Sequence, residues 1–258
     1  MNLRELWSDG QPTFGAWLSS PSSVSAESSA RVGFDYVCVD NQHGAIDYQI
    51  TVSMFQSVLL AGSRPIARVP WNEPGIIGKM LDAGAEAVVV PMVNTVDEAE
   101  AVVRAGRYPP LGARSHGPVL SGLRSSTYAA DANANVAIIP MIETVQALHN
   151  IDDILAVPGI DAIYVGPADL SLSLGLAPGN NDTEPAFTEA LLAIAAACHR
   201  AGVVAGIHAT GMLAERRLQQ GYQMITVCGD LLAMRTRMSE ELAQARGAER
   251  PAGSIAIY

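Results

Sequence analysis

Four titratable side chains follow apolar runs in this sequence, at positions where chemistry is possible. Asp40 and His43 come at the end of one run, Glu143 directly follows a second, and Asp169 lies just beyond a third. If the runs are strands of a parallel sheet, their carboxyl ends meet at the edge where such proteins bind ligands. Paired carboxylates suit a metal ion, and a histidine beside an aspartate suits proton transfer. The pattern therefore predicts an enzyme.

Glu143 and Asp169 form the candidate metal site. The runs that precede them are consecutive predicted strands, so in a barrel the two carboxylates converge at one mouth. Two carboxylates, completed by water and substrate oxygens, suit hard divalent cations such as Mg²⁺ or Mn²⁺, and an all-oxygen site also accepts Co²⁺. The alternative is that one carboxylate caps a helix and the other is solvated.

His43 is the candidate general base. Asp40 lies three residues before it, near enough to orient the imidazole ring. The alternative is a histidine that merely fills a turn, which is the more common role of a lone histidine. His208, at the end of the seventh predicted strand, and His116, in a loop rich in glycine and proline, are reserve candidates.

Arg68 stands at the end of an apolar strand, where an unpaired cation would be costly to bury. One interpretation is an internal salt bridge, with Asp40 as a possible partner. The other is a planar fork that holds a carboxylate and an enolate oxygen. Gly166, Pro167, Ala168 and Asp169 form either an ordinary turn or a set of backbone N–H groups that binds an anion.

The order of elements comes from short apolar runs that alternate with helical patterns. The runs are almost continuously apolar, as in strands covered on both faces. Eight βα units in succession predict an α/β fold, a (β/α)8 TIM barrel. A doubly wound open sheet is the competitor, although no glycine-rich phosphate loop follows the first strands. The predicted strands are 13–18, 36–40, 65–69, 87–91, 136–142, 162–165, 203–207 and 224–228.

Helix and loop signals fill the gaps between these strands. Thr95 and Glu98 predict a capping box, and a helix is expected to open at Pro185 and end at Gly202. The stretches 108–135 and 174–185 are rich in glycine and proline, and we expect them to be irregular. Such loops either cover an active site or are surface insertions.

Composition narrows the classes of function. With 258 residues, of which 49% are hydrophobic and 16% charged, the chain predicts one barrel domain over 1–258 with a tail from about residue 243. The net charge of −10 argues against nucleic acid and anionic membranes as partners. Three cysteines in apolar segments and an N-terminus without an apolar signal core predict reduced thiols and a cytoplasmic location.

Several segments together resemble the HpcH/HpaI aldolase family, the metal-dependent pyruvate aldolases of the phosphoenolpyruvate/pyruvate barrel group. The resemblance extends from about residue 15 to residue 228. The matching segments are Gly33-Phe34-Asp35-Tyr36, Asp40 to His43-Gly44, Arg68-Val69-Pro70-Trp71-Asn72-Glu73-Pro74, Leu81-Asp82-Ala83-Gly84-Ala85, Val90-Pro91-Met92-Val93, Arg107-Tyr108-Pro109-Pro110 with Gly112 and Arg114, Ile142-Glu143, and Gly166-Pro167-Ala168-Asp169-Leu170-Ser171.

The resemblance implies a role for each matching residue. Glu143 and Asp169 would bind the metal, and pyruvate would chelate it. Arg68 would stabilise the enolate, while His43 would act as the base with Asp40 tuning it. No Schiff-base lysine is needed, because the metal accepts the electrons.

The resemblance also implies contacts for the substrate and for a second subunit. The N–H of Ala168 would contact the substrate carboxylate, Met141 would meet the substrate where some relatives have glutamine, and Trp17 would influence the choice of aldehyde. Asp82 would support the histidine of a neighbouring subunit. The expected assembly is therefore a homo-oligomer, a trimer or hexamer.

Three functions remain open. The first is an aldolase that converts 4-hydroxy-2-oxoacids to pyruvate, or a related 2-oxoacid such as hydroxypyruvate, and an aldehyde. The second is an oxaloacetate-type decarboxylase that uses the same metal enolate. The third is a catalytically silent binding protein, which the joint presence of Glu143, Asp169, His43 and Arg68 disfavours.

Overall fold

Strands that are neighbours in sequence pair in parallel throughout the sheet. The structure is a computed structural model that describes residues 1–247. All eight predicted strands are present, and no boundary differs by more than two residues from its predicted position. The strands are β1 (Thr13–Leu18), β2 (Tyr36–Asp40), β3 (Arg64–Arg68), β4 (Ala87–Val90), β5 (Ala137–Pro140), β6 (Ala162–Val165), β7 (Val204–His208) and β8 (Met224–Gly229).

The strand order confirms the barrel. It runs β5-β4-β3-β2-β1-β8-β7-β6, so β1 lies between β2 and β8. A doubly wound sheet would reverse its order part-way, which this sheet does not do. The last junction, the β5–β6 seam, is closed by one parallel bridge between Met141 and Tyr164 and by a 2.9 Å hydrogen bond from the Ile142 N–H to the Tyr164 carbonyl.

Helices cover the outer face of the strands. In the described residues 1–247, no helix is both long and apolar enough to cross a membrane. The helices are α1 (Leu3–Ser8), α2 (Ser23–Ala30), α3 (Tyr48–Leu60), α4 (Pro74–Ala83), α5 (Val96–Gly106), α6 (Val119–Arg124), α7 (Tyr128–Asn135), α8 (Val145–His149), α9 (Ile151–Leu155), α10 (Pro167–Ser173), α11 (Pro185–Ala201), α12 (Ala214–Gln219) and α13 (Asp230–Ala245).

The helix boundaries agree with the sequence signals in most places. Thr95 and Glu98 form the predicted capping box of α5, and α11 begins at Pro185 and is capped by Gly202. The expectation of an irregular stretch over 108–135 was wrong, because α6 and α7 occupy its second half. Its prolines and most of its glycines lie before α6, and the Tyr128–Asn135 segment is rich in alanine, which favours helix. The predicted tail lies mostly outside the described residues.

Alternate residues of the strands fill the barrel interior with aromatic rings. Tyr36 and Tyr164 both hydrogen-bond Thr226 Oγ1, at 3.0 and 2.6 Å. Leu3 and Trp7 of α1 belong to the same buried cluster. This small helix, which the sequence analysis missed, starts with a capping box between Asn2 and Glu5.

Gly15 on β1 makes room for one of these rings, and we expect an added side chain there to be costly. A Cβ at this position would lie 2.0 Å from the ring of Tyr36, which is completely buried. Gly15→Ala should therefore lower the free energy of unfolding by about 2–3 kcal/mol, measured by urea denaturation. The control is Gly78→Ala within α4, where the added carbon would meet no atom within 4 Å apart from its chain neighbours and the nearby backbone of the helix itself. It should stabilise the protein by about 0.5–1 kcal/mol, and a similar effect of both variants would contradict the prediction.

Candidate active site at the carboxyl end of the barrel

A cavity of about 250 Å³ lies where the strands end. Most of the predicted site residues line it, as the strand-end rule predicts. Glu143 and Asp82 are not among the lining residues. The predicted residues that line it are Trp17, Asp40, His43, Arg68, Met141, Gly166, Pro167, Ala168 and Asp169, together with the reserve candidate His208.

Asp40 and Arg68 form an ion pair in the cavity wall. Arg68 Nε donates to Asp40 Oδ1 at 2.8 Å, and Nη2 donates to Oδ2 at 2.6 Å. The two residues are register partners in the β2–β3 ladder and are 1% and 7% exposed. Burial tends to raise the pKa of Asp40, but the hydrogen bond and charge of Arg68 outweigh it and lower that pKa. The internal salt bridge considered from the sequence is therefore present.

The carboxylate of Asp40 also shapes the turn that carries His43. Its Oδ1 accepts hydrogen bonds from the backbone N–H groups of Gln42 and His43, at 3.1 and 3.2 Å. The sequence suggested contact with the imidazole ring, whereas these bonds run to the backbone. A spacing of three residues explains the difference, because it is the spacing at which an aspartate caps the turn that follows it.

The ring of Trp17 supports the guanidinium of Arg68 and contacts two further rings. The Trp17 ring lies 5.0 Å from the Arg68 guanidinium carbon, a cation–π distance. The other contacts of Trp17 are a stacked ring at Tyr164, 5.4 Å away, and an edge contact with His208 at 5.3 Å. Trp17, Tyr164 and His208 thus form one group of contacting rings in the cavity wall, and Trp17 lies beneath the cation.

Glu143 lies directly behind the cavity wall with one oxygen unsatisfied. Its Oε1 accepts a 2.8 Å hydrogen bond from the Met92 N–H, and Oε2 is buried without a hydrogen-bond partner among the described residues. A Cβ on Gly166 would lie 2.2 Å from Oε2, so only glycine leaves this oxygen its space. Burial and the nearby charge of Asp169 raise the pKa of Glu143 to about 7, against the Met92 hydrogen bond.

These carboxylates fit a divalent cation. A buried carboxylate oxygen without a partner is costly, and a cation beside it would supply the missing interaction. Within the described part of the chain, no group of three or more histidine, cysteine, aspartate or glutamate residues could hold a metal. The candidate site, Glu143 with Asp169, has two carboxylates, and a cation there would need water or substrate oxygens to complete its ligands.

Asp82 lies away from the cavity, as its position on α4 predicted. Its Oδ1 accepts a 2.6 Å hydrogen bond from Arg114 Nη2, and 27% of its side chain is exposed. Arg114 in turn stacks on Tyr108, with 4.4 Å between the guanidinium carbon and the ring centre. His116, the other reserve candidate, is exposed next to Tyr108 and does not line the cavity.

Several lining residues were missed by the sequence analysis: Tyr164, Asn180, Thr210 and Asp230. Asp230 follows the last strand, so the strand-end rule could have found it. Asn180 belongs to the stretch 174–185, which is irregular as predicted and is fastened to α12 by Arg217. The fully buried Arg217 donates to both carboxylate oxygens of Asp182, at 2.6 and 2.8 Å.

Comparison with known proteins agrees with this geometry. The sequence model of the family described as HpcH/HpaI aldolase/citrate lyase matches residues 13–236. The chain belongs to the HpcH/HpaI aldolase/citrate lyase family. The family's aldolases and the relatives below indicate that it is a lyase.

Three HpcH/HpaI relatives illustrate the similarity. A hydroxypyruvate/pyruvate aldolase of Rhizorhabdus wittichii is 39% identical, covering 95% of this chain and 98% of its own. A 4-hydroxy-2-oxo-heptane-1,7-dioate aldolase of Shigella sonnei is 35% identical, covering 96% of each chain. A crystal structure of an HpcH/HpaI aldolase/citrate lyase family protein from Burkholderia cenocepacia superposes with a TM-score of 0.88 at 33% identity, covering 95% of this chain and 98% of that one.

The pKa of Glu143 predicts a pH-dependent stability of the metal-free protein. The unfolded state releases the proton of Glu143 near pH 4.5, whereas the folded state keeps it until about pH 7. Stability should therefore fall as the pH rises through this window, by as much as about 3 kcal/mol for this residue. We expect the free energy of unfolding of Glu143→Gln to exceed that of wild type by about 1 kcal/mol at pH 5 and by about 3 kcal/mol at pH 8. The measurement is urea unfolding of both proteins with a chelator present. A difference between the two proteins that is independent of pH would refute this assignment.

Proposed function

We propose that this protein is a divalent-metal-dependent aldolase. It would reversibly cleave 4-hydroxy-2-oxoacids to pyruvate, or a related 2-oxoacid such as hydroxypyruvate, and an aldehyde. The observation that carries the proposal is the buried, unpartnered Oε2 of Glu143 beside a cavity lined by Asp169, Arg68 and His43. The similarity to aldolases supports it, and it favours this reaction over the oxaloacetate-type decarboxylase.

Glu143 and Asp169 would hold the metal, with Mg²⁺ or Mn²⁺ as the expected ions and Co²⁺ also compatible with oxygen ligands. When bound, the cation would supply positive charge next to the oxygens of the 2-oxoacid. Gly166 keeps the approach to Glu143 open, and Ala168 would direct its backbone N–H to the substrate carboxylate. Met141, Pro167 and Trp17 would shape the apolar part of the pocket.

Arg68 and His43 would perform different tasks in the same cavity. Arg68 would stabilise the negative charge that develops on the keto oxygen of the substrate, because Asp40 and Trp17 hold its guanidinium in place. His43 would move the proton at the carbon next to the keto group. Asp40 would position both residues, through the ion pair with Arg68 and through the turn that carries His43.

Deuterium exchange into the methyl group of pyruvate tests this division of tasks. The wild-type protein should exchange only when Mg²⁺ or Mn²⁺ is added. His43→Ala should slow exchange about 10²–10⁴-fold, and Arg68→Ala should lower the rate of aldol cleavage about 10²–10³-fold. Arg68→Lys should recover part of this loss, because an ammonium group cannot reproduce the planar fork.

His199→Ala provides the matched control, because His199 is exposed in the last turn of α11 and does not line the cavity. If His43→Ala exchanged deuterium into pyruvate at the wild-type rate, His43 would have no part in the mechanism. If Arg68→Lys cleaved the aldol at the wild-type rate, Arg68 would act only as a point charge. Release of carbon dioxide from oxaloacetate without any aldehyde addition to pyruvate would favour the decarboxylase instead.

We further propose that the active protein is a homo-oligomer, a trimer or a hexamer of single barrel domains, in the cytoplasm. Asp82 would reach the His43 region of a neighbouring subunit, since it is partly exposed and lies outside its own cavity. Helix α13 supports an assembly, because none of its residues is buried and it exposes an apolar stripe outside the cavity: Met234, Met238 and Leu242. The cytoplasmic location is supported by three free cysteines in the described chain.

The stripe on α13 gives a test of the assembly. Met238→Glu places a charge within it and should shift the mass measured by light scattering from the oligomer towards the monomer. Ser239→Glu adds the same charge to the exposed neighbouring position and should keep the oligomer. A fully active monomeric wild-type protein would contradict the role given to Asp82.

A further inference from the structure

The cavity has a second wall, which begins at β7, the strand paired with the β6 strand that precedes Asp169. It consists of residues 208–210 at the carboxyl end of β7 and residues 227–232 at the carboxyl end of β8, and we name it the β7–β8 wall. The proposed mechanism does not use these residues. They are therefore candidates for contacting the part of a substrate that extends beyond the reacting atoms.

His208 supplies a neutral polar group on this wall. Burial and the positive charge of Arg68 lower its pKa to about 4, against the effect of Asp40. A neutral imidazole carries one hydrogen-bond donor and one acceptor. Its edge contact with Trp17 fixes the ring in the wall. A hydroxyl group, which both donates and accepts, matches such a ring.

Thr210 supplies a second polar group. It precedes a short 3-10 helix, Gly211–Leu213, without using its side chain as a cap. Its Oγ1 is buried and has no hydrogen-bond partner among the described residues. A buried hydroxyl without a partner is unfavourable. Because Thr210 lines the cavity, we expect a ligand hydroxyl there to supply the missing hydrogen bond.

The charges of the cavity indicate which polar ligand fits. Among the described residues that line it, Arg68 is the only arginine or lysine, and it is paired with Asp40. The β7–β8 wall instead contains the carboxylate of Asp230, which accepts hydrogen bonds from the N–H groups of Ser19 and Ser20, both at 3.0 Å. An aldehyde that carries a carboxylate would meet no second cation there, and would be repelled by Asp230.

We propose that the β7–β8 wall selects the aldehyde substrate, with His208 and Thr210 binding the hydroxyl group of a short, uncharged hydroxyaldehyde in preference to an alkyl or carboxylate-bearing aldehyde. The inference rests on the proposed aldolase function and specifies its second substrate. A site built to bind a hydroxyl group discriminates against the analogue that lacks it, because its own polar groups then stay unpaired.

The test compares glycolaldehyde with propionaldehyde, which has the same number of heavy atoms and lacks the hydroxyl group. The measured quantity is the kcat/KM for pyruvate addition to glycolaldehyde divided by the kcat/KM for pyruvate addition to propionaldehyde. A substitution that lowers activity with both aldehydes equally leaves this ratio unchanged. We expect His208→Leu and Thr210→Val each to lower this ratio about 3- to 10-fold relative to wild type. The matched controls His208→Gln and Thr210→Ser keep hydrogen-bonding groups and should stay within about twofold of the wild-type ratio.

Charge selection has its own pair of probes. Succinic semialdehyde and 4-methylpentanal have the same number of heavy atoms, and only the first carries a carboxylate. Wild-type kcat/KM should be at least about 3-fold lower for the semialdehyde, and the difference should shrink as added salt screens the charges.

Two results would overturn the inference while leaving the aldolase function intact. One is an unchanged glycolaldehyde ratio in both His208→Leu and Thr210→Val, and the other is a preference for succinic semialdehyde over 4-methylpentanal. In both cases wild-type pyruvate would still exchange deuterium when metal is added. If the wild-type protein showed no deuterium exchange with metal added, the proposed function would be refuted, and this inference with it.

Discussion

The opposite charges of Asp40 and Arg68 lie side by side at the ends of β2 and β3, and both residues are almost completely shielded from solvent. Removing one partner of such a pair leaves the other charged and buried, which typically costs about 3–5 kcal/mol. Asp40 and Arg68 face each other only in the observed register. A slip of one residue in either strand would turn its charge out of the barrel into the apolar layer beneath the helices. The ion pair therefore restricts the register of the strands that carry it.

The remainder of the site is arranged around this pair. Arg68 lies over Trp17, which contacts both Tyr164 and His208. In the described part of the chain, the mouth thus combines one guanidinium with four carboxylates, those of Asp40, Glu143, Asp169 and Asp230. Excess negative charge in a confined space favours a bound cation, and the raised pKa of Glu143 reflects the same imbalance.

The sequence predicted what depends on local pattern. Buried parallel strands are continuously apolar and end in polar residues, so all eight strands and the positions of Asp40, Glu143 and Asp169 at their ends could be inferred. It could not decide between the two interpretations of Arg68, because the choice depended on the β2–β3 register. Thr210 was also missed, since a threonine after a strand is common and only the folded chain shows that its hydroxyl has no partner within residues 1–247.

The α6 and α7 helices were missed for a different reason. Proline and glycine in the first half of the stretch 108–135 dominated the interpretation of the whole segment, although its second half is typical of helix. The comparison with family members supports the fold and the type of reaction. The assignment of roles to single residues rests on the contacts and charges in the barrel mouth.

The bond between Arg217 and Asp182 limits how this barrel could be redesigned. The stretch 174–185 contributes part of the cavity wall. It is held by the guanidinium of Arg217, which belongs to the next βα unit. A loop grafted from another barrel without a carboxylate at this place would leave Arg217 buried and unpaired. The loop and α12 therefore form one exchangeable module, and an engineer who seeks a new specificity should transplant them together.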